Sequence, residues 1–216
     1  MRQIKDYQNE NLLNAIKFTS VDVEQAVSDY PLEFDDVKNK KIEWDIKFTP
    51  FIMVFYRMVL REQRVPLQND FIEEYLYINR NEHSVKSLSG EERRALKARL
   101  KRTYPSLVRD LHFALLLSEN QQIDYVVYHP EPDVRYGIDL LTGYSGEHFA
   151  VHLFIKTKRS FTGRNKKKTR HPVLEKLYTV ELPLPPGKNQ SVSKIKLYSK
   201  RDAELLIEKM KVAVSE

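Results

Sequence analysis

The sequence predicts an α+β fold, a helical N-terminal region followed by a mixed sheet flanked by helices, and three observations carry that prediction. Between Thr49 and Glu119 apolar residues recur at three- and four-residue spacing, the signature of helices with one apolar face. From about residue 120 the period drops to two, in short runs rich in β-branched and aromatic residues. The chain then closes on KRDAELLIEKMKVAV, amphipathic again, with Ala203, Leu206, Ile207 and Met210 on one face.

Residues 1–47 are weakly patterned: Leu12, Leu13, Ile16, Val23 and Val27 fit helical spacing, and the stretch from Phe34 to Ile46 reads as irregular or short-strand sequence. Thr49 and Pro50 open a helix whose apolar face is Phe51, Val54, Phe55, Met58 and Val59, and Val65-Pro66 ends it. Asp70 to Ile78 forms a second. A third starts at Ser89 and Glu92, a capping box, and runs through RRALKARLKR to Tyr104-Pro105, after which Ser106 opens another. The strand runs are 123–129, 136–142, 148–157, 177–183 and 193–199. HPEPDV is expected as a loop between the first two, and Gly143-Tyr144-Ser145-Gly146 as the turn of an antiparallel hairpin between the second and third. A boundary near residue 103 divides a helical region (1–103), suited to docking a protein partner, from an α+β core (104–216).

Composition narrows the function. Zero cysteines exclude disulfides, thiolate metal sites and cysteine nucleophiles. Six glycines and no P-loop, GxGxxG or GxSxG sequence exclude the nucleotide cradles and the nucleophile elbow built on those motifs. No apolar run approaches the roughly 20 residues of a membrane helix, and MRQIKDYQNENLL lacks a signal-peptide core, so a cytoplasmic protein without membrane contact is expected. The net charge of +6 is modest, but KTKRSFTGRNKKKTR (156–170) carries eight Lys and Arg and no acid. Such a run suits a polyanion, with Lys158, Arg159, Arg164, Lys166, Lys167, Lys168 and Arg170 at phosphates and Phe161 stacking on a base or wedging into a groove. The bland alternative is a solvated charge run. RRALKARLKR adds Arg93, Arg94, Lys97, Arg99, Lys101 and Arg102, whose alternative reading is an exposed helix face.

Asp139 sits within the apolar run YGIDLLT, where a buried carboxylate needs a partner. Alternation puts His152, Phe154 and Lys156 on one face of the following strand. A helix, a strand, a strand bearing Asp, a tight hairpin, a strand ending in Lys, then more sheet and a helix is an order that resembles the restriction-endonuclease-like core of the PD-(D/E)XK nuclease superfamily. The likeness covers residues 105–212 and rests on that order and two residues.

The resemblance implies a DNA-binding hydrolase acting in defence, transposition or repair, with Mg²⁺ as cofactor. Asp139 takes the metal-binding place and Lys156 that of the lysine that assists the attacking water. The tripeptide departs from the pattern, because Phe154 fills the slot of the second acid and cannot ligate a metal. Asp110 on the preceding helix or Glu147 at the hairpin then stands as the further metal-binding acid, and His152 as ligand or base. The literal Pro132-Asp133 has the weaker claim. The rival reading is a non-catalytic subunit that grips nucleic acid and docks a partner, favoured by Phe154. Each residue also has an ordinary alternative: Asp139 beginning a turn or pairing with Lys156, His152 half-buried and satisfied, Asp110 on a helix surface, Glu147 solvated.

Overall fold

A computed structural model describes residues 3–30, 32–156, 177–185, 191–192 and 195–215. Helices α1 (Ile4–Asn9), α2 (Ser20–Asp29), α3 (Phe51–Glu62), α4 (Gln68–Ile78), α5 (His83–Lys86) and α6 (Gly90–Ser118) lead into β1 (Tyr125–Val127). Helix α7 (Pro130–Tyr136) follows, then β2 (Leu140–Tyr144), β3 (Glu147–Ile155), β4 (Tyr178–Leu184), the short pair β5 (Ser191–Val192) and β6 (Ile195–Lys196), and α8 (Lys200–Ser215). The fold is α+β, with a four-stranded mixed sheet in the order β1-β2-β3-β4. Strands β1, β2 and β3 run antiparallel in turn, whereas β4 is parallel to β3. The expected strand at 193–199 instead contributes β6, which pairs only with β5 among the described residues. No helix among the described residues is long and apolar enough to cross a membrane.

Two expectations fail at prolines. The predicted helix break at Tyr104-Pro105 does not occur, because α6 runs through Pro105 without interruption. A proline inside a helix offers no N–H to the carbonyl four residues back, here Lys101. The Gln68 side chain fills that role: its Nε2 donates to the Lys101 carbonyl at 3.1 Å, while its Oε1 accepts the Glu33 N–H at 2.8 Å. HPEPDV is helical rather than a loop. Pro130 takes the first turn, the His129 Nδ1 caps it by accepting the Glu131 N–H, and Gly137 ends it with φ of 68°. The second strand therefore starts at Leu140 and not at Tyr136.

The hairpin forms as expected, but on two residues. Ser145 and Gly146 both have positive φ (52° and 78°), the handedness a tight β-hairpin turn demands, which leaves Gly143 inside β2. A Cβ at Gly143 would lie 2.3 Å from Cε1 of Tyr125, whose ring crosses that position and whose hydroxyl meets His148 Nδ1 at 2.8 Å.

The boundary expected at residue 103 falls in the middle of α6. The main buried core is continuous from Leu12 to Met210, joining α3 and α4 to α6, the sheet and α8. Asn11 acts as a piece of strand on the outer edge of β1, donating from Nδ2 to the Val126 carbonyl (2.6 Å) and accepting the Tyr128 N–H on Oδ1 (3.0 Å). The basic half of α6 largely serves to hold residues 33–43. Arg102 donates to the carbonyls of Val37 (2.7 Å) and Asp35 (3.0 Å) and pairs with Glu43, Arg99 donates to the Ile42 carbonyl, and Lys101 pairs with Glu33 at 2.7 Å. Lys97 meets Glu73 of α4 at 2.8 Å.

Candidate functional site at the carboxyl edge of the sheet

Strands β1, β3 and β4 end at one edge of the sheet, and β2 begins there. Asp139 stands at that beginning. Its N–H donates to the Val151 carbonyl at 3.2 Å, and its Oδ2 accepts the Leu153 N–H at 2.7 Å. A side-chain oxygen thus takes the part of a ladder carbonyl, gripping β3 on both sides of His152. The register continues across β3, where His152 pairs with Glu181 of β4. Val151 and Leu153 point into the main core and Ala150 into the smaller cluster on the opposite face, so His152, Phe154 and Lys156 follow Ala150 on the face away from α6.

Two buried phenols feel the charge of carboxylates from separate elements. Tyr128, only 1% exposed, follows β1; burial raises its pKa most, and the charges of Asp110, Asp133 and Asp139 raise it further. Its hydroxyl has no hydrogen-bond partner among the described residues. Tyr198 packs on Phe113 in a tilted pair with ring centroids 4.5 Å apart and donates to the Leu182 carbonyl at 3.1 Å. Its pKa too is pushed up, by burial first and then by Asp110 and Asp139, while Arg109 and the Phe154 N–H pull the other way. Arg109, 7% exposed, holds its Nε 3.9 Å from Asp110 Oδ1. The charges of Asp110 in α6 and of Asp139, just before β2, thus push up the pKa of both phenols.

The remaining expected members are distributed differently. Glu147 is exposed at the hairpin, opposite Tyr144; six residues from Leu153, it lies about 20 Å away along β3. Lys156 is exposed, and its N–H continues the ladder to the Leu184 carbonyl at 2.8 Å. It lies about 10 Å along the strand from Leu153, and no ion pair joins it to Asp139 among the described residues. Lys158, Arg159, Phe161, Arg164, Lys166, Lys167, Lys168 and Arg170 lie outside the described residues.

A divalent cation of the Mg²⁺ type needs several oxygen ligands, commonly one or two carboxylates completed by substrate and water. Among the described residues no three His, Asp or Glu side chains are close enough to one another to hold a metal ion. With Phe154 in the acid slot and Glu147 remote, Asp139 and Asp110 are the acids left of the expected set. Sequence reasoning missed Tyr128, Tyr198, Arg109 and Glu181, and it set Asp133 aside. Each phenol sits in strand-like sequence where a tyrosine looks like ordinary core filler.

No family model matches the chain, and neither does any curated protein or any solved structure.

Proposed function

We propose that this protein binds DNA without cutting it, using a restriction-endonuclease-like core as a grip within a larger nucleoprotein assembly. One observation carries the reading. Lys156, the first of eight cations in 156–170, follows Ile155 at the carboxyl end of β3, on the edge where Asp139 leads into β2. Cations at a polar sheet edge neutralise phosphates, and the affinity they supply is sequence-tolerant and salt-dependent. The element order from α6 to α8 is consistent with the nuclease-like core: helix, antiparallel β1-β2-β3, then β4 parallel to β3, then helix. Docking of a protein partner on residues 1–103 has less support, because the apolar faces of α2, α3 and α4 are buried in the shared core.

A second reading is Mg²⁺-dependent phosphodiester cleavage, supported by Asp110 and Asp139, whose charges both push up the pKa of Tyr128 and Tyr198. In that reading Asp110 and Asp139 would hold the Mg²⁺, with substrate and water completing its ligands. The discriminating experiment incubates supercoiled plasmid with the protein and Mg²⁺ or Mn²⁺. The expected result is retarded but intact plasmid for the wild type, Asp139→Ala and Lys156→Ala alike. Cleavage that disappears in both variants while binding persists selects the second reading, and absence of binding removes both.

A further inference from the structure

Helix α8 is apolar on two opposite faces. Ala203, Leu206, Ile207 and Met210 are buried in or against the core, whereas Leu205 and Val212 are 42% and 58% exposed. At about 100° per residue, Leu205 and Val212 lie roughly 20° apart on the wheel and about 160° from the centre of the buried face. A core-packed helix needs only one apolar stripe. The second one lines a groove of about 530 Å³ between α8 and the outer strand β4, walled by Leu205, Glu208, Lys209 and Val212 and floored by Thr179 and Glu181.

We propose that this groove is an interface between two copies of the chain, formed by antiparallel pairing of α8 with α8 about a two-fold axis between positions 208 and 209. A two-fold interface demands self-complementarity, and this face has it. An antiparallel pair centred there sets Leu205 against Val212 of the second copy, and Glu208 against its Lys209, each pairing occurring twice. Glu208 and Lys209 are exposed and make no ion pair among the described residues, so both are available. Unlike charges meet at the centre and apolar side chains at the flanks. With no second helix in place, both Leu205 and Val212 face water. Because a 16-residue helix presents less than the roughly 800 Å² per partner of a standard interface, the dimer is weak and its population follows concentration.

Sedimentation or light-scattering mass, followed from roughly micromolar to millimolar protein, reads the outcome. The wild type moves from 25.6 kDa toward twice that mass. Glu208→Lys places Lys against Lys, and Lys209→Glu places Glu against Glu, so each variant stays at the monomer mass. Their equimolar mixture restores two unlike pairs per interface and regains the wild-type mass. A wild type that is monomeric throughout, single variants that dimerise like the wild type, or a mixture that stays monomeric each overturns the proposal. If Glu208→Lys loses its thermal transition, Glu208→Gln and Lys209→Gln replace the reversals. Both must then weaken the dimer, with partial rescue on mixing because one Glu208–Lys209 pair re-forms, and unchanged dimerisation again overturns it.

Discussion

A lone acid in an apolar run is informative because its burial must be compensated, and Asp139 stands out on that ground. Its compensation is the Leu153 N–H, a backbone partner that side-chain patterns do not reveal. Tyr128 and Tyr198 were not legible, since their significance lies in the charges of Asp110 and Asp139, which come from separate parts of the chain and push up both pKa values. The same holds for Gly143, which looks like a turn residue but is a strand position crossed by the Tyr125 ring. Gly143→Ala should destabilise by about 1–3 kcal/mol through overpacking, with part of the loss recovered in Gly143→Ala/Tyr125→Val, as measured by urea midpoints. His112 offers a second test. Burial holds its pKa below the ordinary imidazole value, against the opposing pull of Glu24, whose Oε1 lies 3.1 Å from Nε2, and of Glu119. The unfolded chain takes up a proton near pH 6.5, whereas the folded chain does so only at lower pH. This contribution to stability is therefore complete above about pH 6.5 and is lost as pH falls through that value toward the folded pKa. His112→Asn should flatten the difference in urea midpoint between neutral and mildly acidic buffer, and an unchanged difference would remove His112 from the account.

Elements with strong periodicity were legible to within a few residues: α3, the sheet strands β1–β4 and α8 all occur where their apolar spacing puts them. The errors sit at Pro105 and at HPEPDV, where a local rule was outweighed by partners elsewhere in the chain. Pro105 is tolerated inside α6 because Gln68, far away in sequence, serves the stranded Lys101 carbonyl. Gln68→Leu should cost about 1 kcal/mol by leaving that carbonyl unpaired in a partly buried setting. Pro105→Ala restores an N–H to the helix, so the same substitution should cost less in that background. The remaining cost reflects the missing acceptor for the Glu33 N–H. Equal costs in both backgrounds would contradict the pairing. Arg102 is a structural clamp by the same logic. Arg102→Ala frees the Asp35 and Val37 carbonyls and strands Glu43, so it should speed hydrogen exchange in residues 35–43 before that of α6, and uniform acceleration of both would refute the clamp.

At the scale of the whole molecule, the division at residue 103 looked natural because helices precede strands there. Composition does not reveal that α6 is the shared wall of both halves, carrying Ala95 and Leu96 into the same core as Val108 and Leu111. One cooperative unfolding transition follows, with coincident far-ultraviolet and tyrosine signals. The functional reading is global as well, since it joins a polar sheet edge to a run of cations that follows it in sequence. Its most direct test is the affinity for duplex DNA, measured by fluorescence anisotropy over a range of salt concentrations, for the wild type and for Lys166→Ala/Lys167→Ala/Lys168→Ala. The expected result is a steep fall of affinity with salt, and a logarithmic slope smaller in the triple variant by up to about 2.7, or 0.9 for each phosphate no longer neutralised. Absence of binding at low salt, or the same slope for both proteins, would contradict it.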